Sequence, residues 1–96
     1  LQTGAPFFQP EELRDACARL RGVFQHSGVY LTVNPTYIGG YMALAWASPD
    51  FDFEGADAGD IARRFDTAQV DTWHYSPALH AASFAAPRWI AALTKA

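Results

Sequence analysis

Residues 29–48 read VYLTVNPTYIGGYMALAWAS, two apolar runs joined by a short turn, and this stretch decides the fold. The run 29–33 is rich in β-branched and aromatic residues, as strands are. The run 41–48 is almost continuously apolar, which is typical of a strand covered on both faces in an α/β sheet. The short glycine-containing connection predicts that the two strands pair as an antiparallel hairpin. A two-stranded ribbon leaves edges unpaired, so we expect a missing part of the same protein, or another copy, alongside it.

Four helices are predicted around this hairpin. Pro10 followed by two acids predicts a helix start. An apolar stripe at three-to-four-residue spacing predicts an amphipathic helix over residues 10–24, with Gly28 ending the connection to the first strand. The acidic segment 49–60 predicts a surface loop running into a short helix over 58–65, with Ile61 and Phe65 facing inward. Ser76-Pro77 and Pro87 each predict a further helix start. The stripe consists of Leu13, Ala16, Cys17, Leu20, Val23 and Phe24.

Composition narrows the class of protein. The chain is 50% hydrophobic and 15% aromatic, which predicts a packed core. Its net charge of −3, with scattered basic residues, argues against nucleic acid or an anionic membrane as partner. A single cysteine, Cys17, and the lack of any apolar run near the roughly 20 residues of a bilayer span predict a cytoplasmic protein. The only methionine is Met42, so we expect a piece of a longer polypeptide.

Metal sites are not predicted. Residues 50–55 resemble the beginning of a calcium loop, but Ile61 stands where its twelfth position requires a carboxylate. His74 and His80 lie six positions apart without the further ligands that zinc needs. We interpret His80 as a histidine hydrogen-bonded in or near the core, and Cys17 as a core residue.

The turn between the strands is the candidate binding feature. Gly39 and Gly40 lack the Lys-Ser/Thr end of a phosphate loop and precede a strand, so their predicted role is a tight turn with positive φ. Tyr37 follows Pro35, which restricts the backbone, and lies at the end of a sheet where binding groups are common. Tyr37 is therefore a candidate site residue.

Two blocks, residues 35–40 (PTYIGG) and 75–87 (YSPALHAASFAAP), together with Gln2, resemble the C-terminal third of polyamine aminopropyltransferases, the spermidine synthase family. The resemblance covers nearly the whole chain. It implies the α/β class: the C-terminal part of a Rossmann-like, methyltransferase-type fold, an antiparallel β-hairpin with flanking helices. Residues 1–96 would be the C-terminal portion of the catalytic domain, without the N-terminal β domain and the donor-binding half. The hairpin's second strand would insert beside the fifth parallel strand, whose carboxyl end would be Leu1-Gln2.

The resemblance also implies a reaction, the transfer of an aminopropyl group from decarboxylated S-adenosylmethionine to putrescine to make spermidine. Gln2 would hydrogen-bond the diamine, and Tyr37 would help to position the attacking nitrogen. Ile38 and His80 would line the site. The carboxylate base is expected upstream, so no catalytic residue and no cofactor are assigned to this chain; the sulfonium donor is a co-substrate of the full-length protein. The fragment alone is expected to be inactive.

Two positions differ from the family's usual pattern. Ile38-Gly39 stand where Pro-Ser or Pro-Gly is common, and residues 73–75 (WHY) stand where Arg-Tyr-Tyr is usual. These differences would either alter amine selectivity or mark a relative that no longer makes spermidine. The expected partners are a diamine, the missing N-terminal part and a second copy in a homodimer. Two alternatives stay open: a non-catalytic binding or assembly module that pairs through a free edge of strand 41–48, and an S-adenosylmethionine-dependent methyltransferase relative.

Overall fold

A three-stranded antiparallel sheet flanked by helices makes up the protein, whose computed structural model describes residues 1–36 and 38–95. The predicted hairpin and the mixed α/β class are confirmed. None of the helices in the described ranges is both long enough and apolar enough to cross a bilayer. The elements are β1 (Gln2–Gly4), α1 (Pro10–Val23), β2 (His26–Val33), β3 (Tyr41–Ser48), α2 (Ala58–Ala68), α3 (Pro77–Ala82) and α4 (Arg88–Thr94).

The sheet has the order β1-β3-β2, and β3 is antiparallel to both neighbours. Leu1 and Ala45 exchange two backbone hydrogen bonds of 2.7 and 2.8 Å, and Gln2 lies opposite Leu44. The hairpin's second strand therefore lies beside the segment that begins the chain, as the resemblance implied. The expectation of a two-stranded ribbon is wrong, because residues 1–4 pair with β3 at Ala43 to Ala45 and form a third strand. A three-residue strand containing glycine has too little pattern to be recognised from its sequence.

One face of the sheet carries the core. Residues directly opposite each other in a sheet project to the same side. The pairs Leu31–Ala43 and Val29–Ala45 therefore share a face, and all four residues are buried. This face packs against α1 and α4, which contribute Leu13, Cys17 and Ile90, with Leu20 and Leu93 at the margin.

The apolar stripe of α1 is confirmed only in part. Leu13 and Cys17 are buried and Leu20 is half-buried, as predicted. Val23 is 77% exposed and Phe24 is also exposed, so assigning them to the inward stripe was wrong. Phe24 lies outside the helix, because α1 ends at Val23 and the backbone of Phe24 is extended; Val23 is the last helical residue.

The opposite face of β3 is only partly covered. Met42, Leu44 and Trp46 are half-buried there, so the prediction of two fully covered faces holds for one face. Gly28 lies inside β2 and does not end the preceding connection, which corrects the expected strand start. It lies opposite Trp46, and a Cβ at this position would be 3.0 Å from the indole ring. The missing side chain lets the indole lie against the sheet.

The three C-terminal helices begin at the predicted positions, Ala58, Pro77 and, next to Pro87, Arg88. In α2 the Asp57 carboxylate accepts a hydrogen bond from the Gly59 amide at 3.3 Å, and the helix extends three residues beyond the predicted end. Ile61 and Phe65 are half-buried. In α3 the Ser76 hydroxyl accepts from the Leu79 amide at 3.1 Å. The Leu31 amide donates to the carbonyl oxygen of Ser83 at 2.8 Å, which ties the end of α3 to the outer edge of β2.

Candidate functional site

The turn between β2 and β3 is built by local side-chain bonding and two glycines. Asn34 Oδ1 accepts hydrogen bonds from the Thr36 amide at 3.1 Å and from the Thr36 hydroxyl at 2.8 Å. Gly39 and Gly40 have φ angles of 110° and 81°, which confirms the predicted positive φ. Tyr37, the candidate site residue on this turn, lies outside the described residues.

The loop between β1 and α1 packs against this turn. A Cβ at Gly39 would lie 2.8 Å from the ring of Phe8 and 3.5 Å from Cβ of Ala5. Pro6, between them, is fully buried. Ile38, proposed to line a site, is 84% exposed on the turn. The start of the chain and the hairpin turn thus meet at one end of the sheet.

Gln2 lies on β1 near this end, and its side chain is exposed. Its Nε2 is 3.8 Å from Sδ of Met42 and donates a hydrogen bond to that sulfur. Thioether sulfur is a weak acceptor, and the contact directs the amide nitrogen towards β3. The amide oxygen Oε1 is then available to accept from an N–H donor. This geometry suits a ligand amine.

His80 lies in another part of the fold. Its Nδ1 is 2.7 Å from the Tyr75 hydroxyl, and its ring centroid is 6.0 Å from that of Phe84. His80 is half-buried and hydrogen-bonded, as interpreted, but its neighbours Tyr75 and Phe84 are not part of the core. It lines a cavity of about 720 Å³ between α3 and the outer edge of β2, and neither Gln2 nor Ile38 is among the lining residues. Gln2 therefore lies on the β1 side of the hairpin, whereas the cavity of His80 is lined on the hairpin by Val33 and Tyr41, the residues that flank the turn.

Sequence reasoning missed the aromatic walls of this cavity. Tyr30 and Trp46 project from the half-buried sheet face, and Phe53 and Phe84 pack against them with ring-centroid distances of 5.3 Å (Trp46–Phe53) and 6.1 Å (Tyr30–Phe84). Because side chains alternate between the two faces of a strand, Tyr30 and Trp46 lie on the face opposite the core. This alternation is the sequence feature from which their shared face could have been predicted. The loop and helix residues come close only through tertiary packing, which no local pattern reveals.

Acidic side chains in the described part of the chain bond mainly to near neighbours in the sequence. There, no three histidine, cysteine, aspartate or glutamate side chains lie close enough together to hold a metal ion. The acidic loop bonds to its own backbone, with Asp52 Oδ1 accepting from the Glu54 amide at 3.1 Å. Cys17 is buried as predicted. Burial raises the pKa of its thiol, and nearby Arg21 opposes that rise.

The fold matches a known class of enzyme structure. Residues covering 98% of the chain superpose on 32% of the spermidine synthase of Thermotoga maritima, with a TM-score of 0.80 and 27% identity. A spermidine synthase crystallised in complex with the transition-state analogue AdoDATO matches with the same TM-score and identity, over 31% of its length. The fold is therefore that of one part of a spermidine synthase.

Sequence comparison gives the same relationship. Polyamine aminopropyltransferases of Ruegeria sp. (strain TM1040) and Serratia proteamaculans (strain 568) are each 36% identical to the chain over 89 residues, or 93% of it. No protein-family model matches the chain. The chain spans about a third of the length of the relatives it matches (31% of each). It is homologous to the polyamine aminopropyltransferases, the spermidine synthases, over that third.

Proposed function

We propose that residues 1–96 form the C-terminal portion of the catalytic domain of an aminopropyltransferase, which moves the aminopropyl group of decarboxylated S-adenosylmethionine to putrescine. The observation that carries this proposal is the sheet order β1-β3-β2. That order sets Gln2 beside Met42 and near the hairpin turn, in a chain homologous to these enzymes. The rest of the domain, including the half that holds the donor, would come from outside these residues.

The proposed reaction is a nucleophilic substitution at carbon. The lone pair of a neutral primary amine of the diamine attacks the methylene next to the sulfonium. A C–N bond forms and the C–S bond breaks, with its electron pair going to sulfur, so the products are spermidine and a neutral thioether, methylthioadenosine. The attacking nitrogen gives up a proton, which a carboxylate outside this chain would accept.

Within this chain the proposed task is to hold and orient the amine. Gln2 Oε1 would accept from an amine N–H while Met42 holds the other end of the amide. Tyr37 would help to position the attacking nitrogen from the turn. Correct orientation of two reactants can supply a large share of a rate enhancement, so losing these contacts should slow the reaction without unfolding the protein.

The test is product identification with the intact gene product that contains these residues. Incubation with putrescine and decarboxylated S-adenosylmethionine should yield spermidine and methylthioadenosine in equal amounts, detected by mass spectrometry. S-Adenosylmethionine offered in its place should give no methylated product. Methyl transfer with no aminopropyl transfer would assign the chain to the methyltransferase alternative.

Tyr37 gives the residue-level test of the same proposal. The Tyr37→Phe variant should lose most of its turnover and keep its circular-dichroism spectrum and melting temperature. Unchanged turnover would remove Tyr37 from the site. The assembly-module alternative requires a free edge on β3; β1 pairs with that edge at Ala43 to Ala45, so this alternative is confined to the rest of the strand.

A further inference from the structure

Three side-chain contacts join the start of the chain to the β2–β3 hairpin. On β1, the Thr3 hydroxyl donates to the carbonyl oxygen of Ala43 at 2.8 Å, and both residues are buried. The second contact is the weak one between Gln2 Nε2 and Sδ of Met42, at 3.8 Å. The third lies beyond β1, where the ring of Phe8 packs on the hairpin turn.

The Phe8 ring lies directly against Gly39. A Cβ added at Gly39 would be 2.8 and 2.9 Å from two of the ring carbons, so the ring approaches the backbone of the turn closely. Gly39 also has a φ of 110°, a conformation that glycine adopts readily and other residues do not. The missing side chain therefore provides the space that the ring occupies.

The loop that carries Phe8 is closed by its own hydrogen bonds. The carbonyl oxygen of Ala5 accepts from the Phe8 amide at 3.1 Å and from the Gln9 amide at 2.8 Å. The Ala5 amide donates to Gln9 Oε1 at 3.2 Å, and Pro6 is fully buried. The backbone of Phe8 is thus fixed relative to β1, so the ring relates the position of β1 to that of the turn.

We propose that Phe8 is a positioning residue for the amine acceptor. Its ring sets the distance between Gln2 and the hairpin turn, which together form the amine-holding wall. This inference rests on the proposed function, because it concerns the same amine. The ring does not touch the amine and acts through the turn. A reacting nitrogen held from two sides needs both at a fixed separation, and a thioether contact alone is too weak to fix Gln2 against the hairpin.

The test measures KM for each substrate with the intact gene product. Phe8→Ala should raise KM for putrescine several-fold and leave KM for decarboxylated S-adenosylmethionine unchanged, because the donor would be held outside these residues. Phe8→Tyr keeps the ring and should restore the wild-type KM. Phe51→Ala is the control: Phe51 is an exposed ring packed on Phe53 at 4.9 Å between centroids, as Phe8 is on Phe7 at 5.1 Å. It should leave both KM values unchanged.

A double-mutant cycle separates positioning from an independent contact. If the ring matters because it places the turn relative to Gln2, then adding Phe8→Ala to Gln2→Ala should raise KM for putrescine little further. Two effects on KM that simply multiply would overturn the positioning role. A wild-type KM in Phe8→Ala, or an equal rise in KM for both substrates, would overturn it as well.

The NMR signal of the Gln2 side-chain amide gives a readout that needs no turnover. Phe8→Ala should shift this signal, Phe8→Tyr should shift it much less, and Phe51→Ala should leave it in place. An unmoved Gln2 signal in Phe8→Ala would overturn this inference whether or not the protein is active. Absence of aminopropyl transfer by the wild-type protein would instead overturn the proposed function.

Discussion

Gly39→Ala tests the contact that joins the start of the chain to the hairpin turn. With φ at 110°, alanine is strained, at a cost of about 1–3 kcal/mol. The new Cβ would also lie 2.8 Å from the Phe8 ring. Overpacking typically costs about 1–3 kcal/mol. Because Phe8 is 59% exposed and can move aside, we expect the lower end of that range and a total loss of about 2–4 kcal/mol.

Gly40→Ala is the matched control, because Gly40 also has a positive φ of 81° but has nothing within 4 Å of its would-be Cβ. The Gly40→Ala variant should show the backbone strain without a steric clash. Gly39→Ala adds the clash with Phe8 and should therefore be less stable than Gly40→Ala by about 1 kcal/mol. In urea-induced unfolding followed by circular dichroism, that difference shifts the midpoint by about 0.3–1 M.

Phe8→Ala in the Gly39→Ala background should remove this extra loss, since the clashing ring is then absent. Equal midpoints for the two glycine variants, or an extra loss that persists without the Phe8 ring, would refute the packing of the β1–α1 loop on the turn.

Three further outcomes follow from the core, a cap and the buried thiol. Leu13→Ala empties a fully buried core position and should lower the free energy of urea unfolding by about 2–5 kcal/mol. Leu79→Ala, at a 43% exposed position, should lower it by less than half as much. Equal losses of stability would contradict the assigned core. Ser76→Ala removes the N-cap hydrogen bond of α3 and should lower the free energy of unfolding by about 0.5–2 kcal/mol. Ser76→Asp, which can still accept that bond, should retain most of the stability. Equal losses of stability in the two variants would show that the cap contributes nothing. Burial raises the pKa of Cys17 above its ordinary value of 9.0, so above that pH the unfolded chain loses its thiol proton while the folded chain keeps it. The free energy of unfolding should therefore fall as pH rises from about 9. A Cys17→Ala variant whose stability falls with pH at the same slope would contradict this.

The hairpin and the helices could be predicted because their signals are local. A short glycine-containing connection between two apolar runs specifies a hairpin, and Ser76-Pro77 specifies a helix start by side-chain bonding within one turn. The inward assignment of Val23 and Phe24 was wrong because periodicity does not show where a helix stops. Gly28 was misplaced because its role is to admit Trp46 from the neighbouring strand, a tertiary contact.

The site was predictable to a smaller extent. The resemblance predicted that Gln2 and the turn belong to the site, and the sheet order places both at one end of the molecule. The contact of Phe8 with Gly39 joins positions 31 apart, and that of Tyr30 with Phe84 joins positions 54 apart, so no local spacing could indicate them. The roles of Gln2 and Tyr37 stay predictions.

The KM for putrescine of the Gln2→Ala variant, measured with the intact gene product, tests the central claim most directly. Losing one hydrogen bond to the amine should raise KM about tenfold, with circular dichroism unchanged. Gln25→Ala, an exposed glutamine in the bend between α1 and β2, is the control and should keep the wild-type KM. A Gln2→Ala enzyme whose KM and turnover match those of Gln25→Ala would contradict the claim that β1 and the hairpin turn form the amine-holding wall.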